Sequence, residues 1–329
     1  MLLMDSRLSF IEVPTAGITE PLCEAVFAGL SAEQKSLPCR FFYDRPGSEL
    51  FEEITDLPEY YLTRCEAEIL KHCADDIVEA VGPPLDMVEF GSGSSAKTRY
   101  LMDAILRHQT GLEYVPIDIS REFLKQSSEV LLKHYPGLSV TAIAGEYLDS
   151  IEHLPSSNNP RLILFLGSNI GNFCRSEALE FLKRVGETMT PQDRLLLGAD
   201  LVKNHQILFD AYNDSSGITG EFNLNLLRRL NHDLGADFCI EAFRHFAPYD
   251  PEFERIEMRL ISEKDQAVFI QDLETVFQFK KGEFIRTEWS HKYTNESLAS
   301  LAAEAGLMIC KEWQDSKGYF AEFLLCKSA

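Results

Sequence analysis

The sequence predicts an α/β protein, with a doubly wound parallel sheet and a second α+β lobe. Three observations predict it. Short apolar strands alternate with amphipathic helices from about residue 85 to 200. The first of those strands runs into a Gly-Ser-Gly turn. Beyond about residue 203 the pattern changes to helices followed by runs that alternate at period two. Strands alternating with helices imply a parallel sheet covered on both faces, and period-two runs imply antiparallel strands with one buried face.

Taken in order, residues 20–60 read as helical and turn-like, and CEAEILKHCADDIVEAVG as a helix stopped by glycine. LDMVEF is a strand, AKTRYLMDAILRH a helix, YVPIDI a strand and REFLKQSSEVLLKHY a helix. LSVTAIAG and RLILFLGS are strands, SEALEFLKRVGETM a helix and DRLLLGADLV a strand. HQILFDAYND and ITGEFNLNLLRRLNHDLG follow as helices. RHFAPYD, FERIEMRLIS, QAVFIQD and EFIRTEWSHKY follow as strands. A capped helix begins at Thr294, Asn295 and Glu296, and GLMICKEWQD with GYFAEFLLCKS forms a closing hairpin. The expected layout is one lobe of 65–202 plus 293–329 and a second of 1–64 plus 203–292.

The chain has 329 residues, 45% of them hydrophobic, enough for a large core. Its formal net charge is −21, which repels phosphate backbones and anionic lipid, so neither nucleic acid nor membrane is an expected partner. The start, MLLMDSRLSFIEVP, does not read as a signal peptide, and no stretch is long enough to span a bilayer. The eight cysteines form no C-x-x-C pair and read as reduced core thiols of a cytoplasmic protein. The histidines are scattered, and His245 and His291 lack a partner at i+3 or i+4, so no metal is expected.

The sharpest ligand signal is VEFGSGSSAKTR. Glycine at 91 and 93 lets backbone N–H groups and a ligand approach closely. Asp118 ends the next strand, where a carboxylate can accept from two ribose hydroxyls. Gly91, Gly93 and Ala96 also satisfy G-x-G-x-x-G/A, so these residues alone leave two cofactors open: S-adenosylmethionine, or NAD(P) in an oxidoreductase. Ser94, Ser95 and Lys97 at the helix opening, the closing hairpin, and the lack of an evident acid–base pair for hydride transfer favour the first.

Several segments together extend the reading. They are Tyr43-Asp44-x-x-Gly47-Ser48-x-Leu50-Phe51, Leu57-Pro58-Glu59-Tyr60-Tyr61-x-Thr63-Arg64 and Gly91-Ser92-Gly93-Ser94-Ser95-x-Lys97-Thr98-Arg99. Phe165-Leu166-Gly167-Ser168-Asn169-Ile170-Gly171-Asn172, Gly198-Ala199-Asp200-Leu201-Val202-Lys203 and Ala211-Tyr212-Asn213-Asp214 with Gly217-Ile218-Thr219 continue the series. Arg255-Ile256-Glu257-Met258 and Thr287-Glu288-x-Ser290 complete it. In this order the chain resembles the ergothioneine-pathway histidine Nα-methyltransferases over nearly its whole length. Fungal dimethylallyltryptophan N-methyltransferases belong to the same wider family.

The resemblance implies a class I methyltransferase, Rossmann-like lobe that binds S-adenosylmethionine as methyl donor, and a second lobe that closes over the amino acid. It implies cofactor roles for Tyr43, Gly91, Lys97, Asp118, Glu146 and Tyr147. The family usually shows Gly-Asp-Phe where this chain has Gly145-Glu146-Tyr147, so the Glu146 carboxylate reaches one methylene further. It implies substrate roles for Tyr60, Asn172 and Tyr212 at the amino and carboxylate end, for Glu288 and Ser290 at the imidazole, and for Met258 along the side chain. No side chain is expected to act as a strong base, since Tyr43, Tyr60, Asn172 and Tyr212 serve by positioning. The implied product is the trimethyl betaine of L-histidine, hercynine, made by a monomer. A tryptophan derivative is the alternative substrate. Glu288 and Ser290 argue against it, because an indole has one donor and would leave a buried carboxylate poorly satisfied.

Overall fold

The computed structural model describes residues 5–13 and 21–328. The reading of the first four residues as no leader lies outside them. In chain order the strands and helices begin with β1 (Leu8–Glu12), α1 (Leu22–Ser31), α2 (Arg45–Thr55), α3 (Leu62–Val81), β2 (Asp86–Phe90), α4 (Thr98–His108) and β3 (Leu112–Asp118). Then come α5 (Arg121–His134), β4 (Leu138–Ala144), the single turn α6 (Tyr147–Ser150), β5 (Arg161–Phe165), α7 (Arg175–Thr188) and β6 (Arg194–Asp200). α8 (His205–Tyr212), α9 (Ile218–Asp233), β7 (Phe243–Phe246), β8 (Tyr249–Asp250), β9 (Arg255–Ser262), β10 (Gln266–Ile270), β11 (Thr275–Phe279) and β12 (Phe284–His291) follow. α10 (Asn295–Glu304), β13 (Leu307–Gln314) and β14 (Phe320–Lys327) close the chain.

The chain divides into two compact units, residues 1–19, 62–202 and 292–329, and residues 20–61 and 203–291. The first is built on an eight-stranded sheet of order β1-β4-β3-β2-β5-β6-β14-β13. The inner strands are nearly continuous apolar runs because both faces are covered; every residue of β2 is buried, as are Leu195 to Asp200 of β6. β1 to β6 pair in parallel, and β14 runs antiparallel to β6 and to β13. Strand order reverses around β2, which lies between β3 and β5. That switch point puts the loops after β2 and β5 side by side, where such sheets bind ligands.

The second unit holds a sheet of order β12-β9-β7 with β8 added to β9, a separate β10–β11 hairpin, and α1, α2, α8 and α9. Its N-terminal signature is locally structural. Asp44 caps α2 by accepting from the Gly47 N–H at 2.7 Å, and it also accepts from Asn225 Nδ2 at 2.8 Å. A Cβ on Gly47 would fall 1.8 Å from the Phe42 carbonyl oxygen, so no side chain fits there.

Three features differ from the sequence expectation. The segment 1–64 does not stay together: Leu8–Glu12 pairs in parallel with β4 at the edge of the large sheet. Leu8, Phe10 and Ile11 are half-buried there, and the pairing spans more than a hundred residues, which local pattern does not reveal. Thr275–Phe279 is a strand the pattern reading passed over; it completes a hairpin with β10. The cysteines are not all reduced core thiols. Cys310 and Cys326 form a disulfide across β13 and β14, with Cα atoms 6.4 Å apart, and Cys239 is exposed. Cys310 sits where the register slips between Ile309 and Lys311, and that irregularity lets it face a residue out of step with the ladder.

Candidate functional site

In the first unit the loop after β2 turns on two glycines in the left-handed region. Gly91 has φ +72° and Gly93 φ +49°. A Cβ on Gly91 would lie 2.6 Å from the Tyr147 hydroxyl and 2.9 Å from Asn169 Nδ2, so the cradle exists only because the residue is glycine. Asp118 braces the same loop, accepting from the Gly93 N–H at 2.9 Å through one oxygen and from the Ser120 N–H at 2.9 Å through the other. Burial pushes its pKa up, while the N–H groups of Ser120, Gly93 and Ile119 hold it back. Each oxygen keeps a lone pair for a hydroxyl.

Beneath this loop lies a buried polar network. Glu89 accepts from the Tyr114 hydroxyl and from Thr98 Oγ1, the latter at 2.7 Å. Ser95, in the left-handed region with φ 53°, meets the Tyr114 hydroxyl at 3.0 Å. Ser168, after β5, is left-handed too (φ 59°), and its Oγ accepts from the Asp200 N–H at 2.9 Å. Non-glycine residues in this conformation cost energy and cluster at ligand sites. Both serines lie in the motif segments of the sequence, but their left-handed backbone and these partners were not legible there.

Lys97 precedes α4 and forms an ion pair with the fully buried Glu66 of α3, which also accepts from the Gly167 N–H. Tyr147 packs edge-on against Phe90 and Phe165, with ring centroids 6.1 and 5.5 Å away. Glu146 directly precedes α6 at its N-cap position. Asn172 ends the single turn Asn169–Asn172 after β5, a loop steadied by a 3.2 Å hydrogen bond from the Tyr293 hydroxyl to the Ile170 carbonyl. The first unit therefore brings Gly91, Lys97, Asp118, Glu146, Tyr147 and Asn172 to the C-terminal ends of its parallel strands.

The second unit assembles the others. The register pairs Glu288 of β12 with Met258 of β9, so their side chains share one face, and Ser290 lies two residues on along that face. The Ser290 Oγ and the Tyr212 hydroxyl are 2.7 Å apart, and the Tyr60 ring stands edge-on to Tyr212 at 6.2 Å. Phe51 touches both Tyr60 and Tyr43, at 6.4 and 5.7 Å. Tyr60, Tyr212, Met258 and Ser290 are buried; Glu288 and Tyr43 are half-buried. The register slip between Arg286 and Glu288 re-aims β12, so that Thr287 turns away and donates to Asn223 Oδ1 at 2.7 Å.

His245, which the sequence reading weighed only as a metal ligand, supports the site from behind. Its Nε2 lies 2.8 Å from the Tyr212 carbonyl oxygen, and its Nδ1 is 2.8 Å from Asn223 Nδ2. Burial lowers its pKa, against the carbonyl of Tyr212 and the charge of Asp214. A neutral ring that donates from Nε2 and accepts at Nδ1 satisfies both partners and fixes the backbone that carries Tyr212. The partners lie 22 and 33 residues away, outside any local motif. Among the described residues no cluster of three His, Cys, Asp or Glu side chains could hold a metal ion, and no helix is long and apolar enough to cross a membrane.

Asp118→Asn is expected to weaken S-adenosylhomocysteine binding about tenfold, because it removes the charge from the acceptor while keeping its shape. Calorimetry showing unchanged affinity removes Asp118 from the site.

A family model described as histidine-specific, S-adenosylmethionine-dependent methyltransferase matches residues 22–327. Over 301 residues the chain is 41% identical to a histidine N-alpha-methyltransferase of Mycolicibacterium smegmatis, covering 92% of this chain and 93% of that protein. It is 40% identical to the protein of the same name from Mycobacterium tuberculosis, covering 92% and 94%. It is 33% identical to ergothioneine biosynthesis protein 1 of Neurospora crassa, covering 89% of this chain and 33% of that longer one.

Proposed function

Because the chain belongs to the histidine-specific, S-adenosylmethionine-dependent methyltransferases, we propose that it methylates the α-amino nitrogen of L-histidine three times, giving hercynine, the first step of ergothioneine biosynthesis. Family membership sets aside the hydride-transfer reading. One observation carries the substrate assignment: Glu288, Ser290, Met258, Tyr212 and Tyr60 converge on one face within the second unit. A carboxylate beside a hydroxyl suits a ring with two nitrogens. Met258 supplies an apolar wall, and two phenols suit an ammonium, which ring faces and phenol oxygens attract without crowding it.

S-Adenosylmethionine, when bound, supplies an electrophilic methyl carbon. The residues supply position, which is most of what an in-line displacement at such a carbon needs. The Gly91 cradle and the two-oxygen reach of Asp118 fit a nucleoside with ribose hydroxyls. Lys97 would hold the amino-acid carboxylate of the donor, and Glu146 with Tyr147 would meet its adenine. Tyr60 and Tyr212 would orient the substrate nitrogen, and Asn172 its carboxylate. Tyr43 is carried to the cofactor by the family motif. The same reading has the chain act as a cytoplasmic monomer without nucleic acid or membrane; the net charge of −21 supports the absence of those two partners.

The test is a panel of amino acids with S-adenosylmethionine, read by mass spectrometry. Histidine should gain three methyls, and Nα,Nα-dimethylhistidine should be converted too, since the reaction passes through it. Failure to bind or convert the dimethyl compound rules out trimethylation; turnover of tryptophan but not histidine rules out the substrate.

A further inference from the structure

β14 reads FAEFLLCK, and one acid, Glu322, interrupts its apolar run. Glu322 is fully buried, and neither carboxylate oxygen has a hydrogen-bond partner. It pairs in register with Gly198 of β6, so its side chain crosses the strand where no side chain intervenes. A Cβ on Gly198 would lie 3.2 Å from Glu322 Oε1 and 2.5 Å from Glu66 Oε1. The glycine is therefore the space into which two carboxylates point, and Glu66 already holds Lys97 and the Gly167 N–H.

We propose that Glu322 is a positioning residue for the methyl donor: as a neutral acid beside the Glu66–Lys97 ion pair, it keeps that buried cluster uncharged, so that Lys97 can accept the donor's carboxylate. The inference rests on the reading of Lys97 as a cofactor residue. Two fully buried carboxylates beside a single, half-buried ammonium cannot all be ionised without an uncompensated negative charge. Glu66 has the partners to stay ionised, and Glu322 does not. The charged groups on the elements packed around Glu322 include Glu66 and Asp76 on α3, Lys97 before α4, Asp200 on β6 and Lys311 on β13. Asp200 is paired with Lys292 at 2.8 Å, and Asp76 with Lys311. Burial pushes the Glu322 pKa up to about 8, opposed by the charge of Lys97. Below that pH the cluster is neutral. Above it the cluster carries a net negative charge, which opposes a second anion at Lys97.

The experiment is calorimetric titration with S-adenosylhomocysteine on the full chain from about pH 6.5 to about pH 9.5. The proteins are wild type, Glu322→Gln, Glu322→Met and Lys97→Met. From about pH 7 to about pH 9 the wild-type affinity should fall about tenfold more than that of either neutral variant, as the acid ionises. Two variants are used so that misfolding of one leaves the comparison intact. The infrared difference between the wild type and either variant should show a protonated-carboxyl band that fades through the same range, the contribution of Glu89 being common to all three proteins and cancelling. Superimposable pH profiles with Lys97→Met impaired overturn the role of Glu322 alone. Lys97→Met binding like the wild type overturns the Lys97 reading and the proposal with it.

Discussion

Glu288→Ala is expected to lower kcat/KM for histidine by about 10- to 150-fold, the loss of a charged hydrogen bond of about 1.5–3 kcal/mol. Glu288 shares its face with Met258 and is two residues from Ser290, whose hydroxyl meets that of Tyr212. The carboxylate is suited to accept from one imidazole N–H, with the hydroxyl serving the other nitrogen. Removing it also removes the penalty for setting an apolar ring against a half-buried charge. Tryptophan and phenylalanine should therefore lose less than histidine, or gain, most of all when Met258 is trimmed as well. S-Adenosylhomocysteine affinity should hold, because Gly91, Lys97 and Asp118 belong to the other unit. The measurement is kcat/KM for histidine and tryptophan in wild type and variant. An equal fall for both substrates would mean that Glu288 acts on folding and not on the ring, and would falsify its assignment to the imidazole.

Glu322→Gln should reveal a pH-dependent cost in the wild type of roughly 3 kcal/mol between about pH 5 and about pH 8. The pKa of Glu322 is raised by burial from 4.5 to about 8 in the folded chain. Between those values the folded chain keeps a proton that the unfolded chain has released. Stability therefore falls as pH rises through the window, and the loss is complete above the folded pKa. Glutamine does not titrate, so the variant lacks this slope. Glu89, raised by burial to about 7 despite hydrogen bonds from Tyr114 and Thr98, titrates in both proteins and cancels in the difference. Denaturant unfolding at several pH values gives the comparison. A difference between the two proteins that does not change with pH would mean that Glu322 is not held protonated by the fold.

What the sequence determined by itself is whatever rests on short-range pattern. Apolar runs such as RLILF and RLLLG specify strands because both faces are buried, and intervening amphipathic stretches specify the helices that cover them. Gly91, Gly93 and Asp118 were legible because a strand–turn–helix–strand unit places a close backbone approach and an acid at a set spacing. Glu288 and Ser290 were legible as a pair because two residues apart on a strand means one face.

Tertiary structure decided what depends on partners far apart in the chain. Glu66 meets Lys97 across 31 residues, and Glu322 reaches toward both only because β14 lies beside β6 opposite a glycine. The signals were present as an acid on the apolar face of α3 and another in the middle of β14, but a lone buried charge does not name its counterpart. Asn223 and His245 behind Tyr212, Leu8–Glu12 at the sheet edge, and the Cys310–Cys326 disulfide are of the same kind. Each is a pairing, set by which strands become neighbours and where a register slips. Side-chain alternation and helical period constrain a residue's face, and only the packed chain supplies what that face meets.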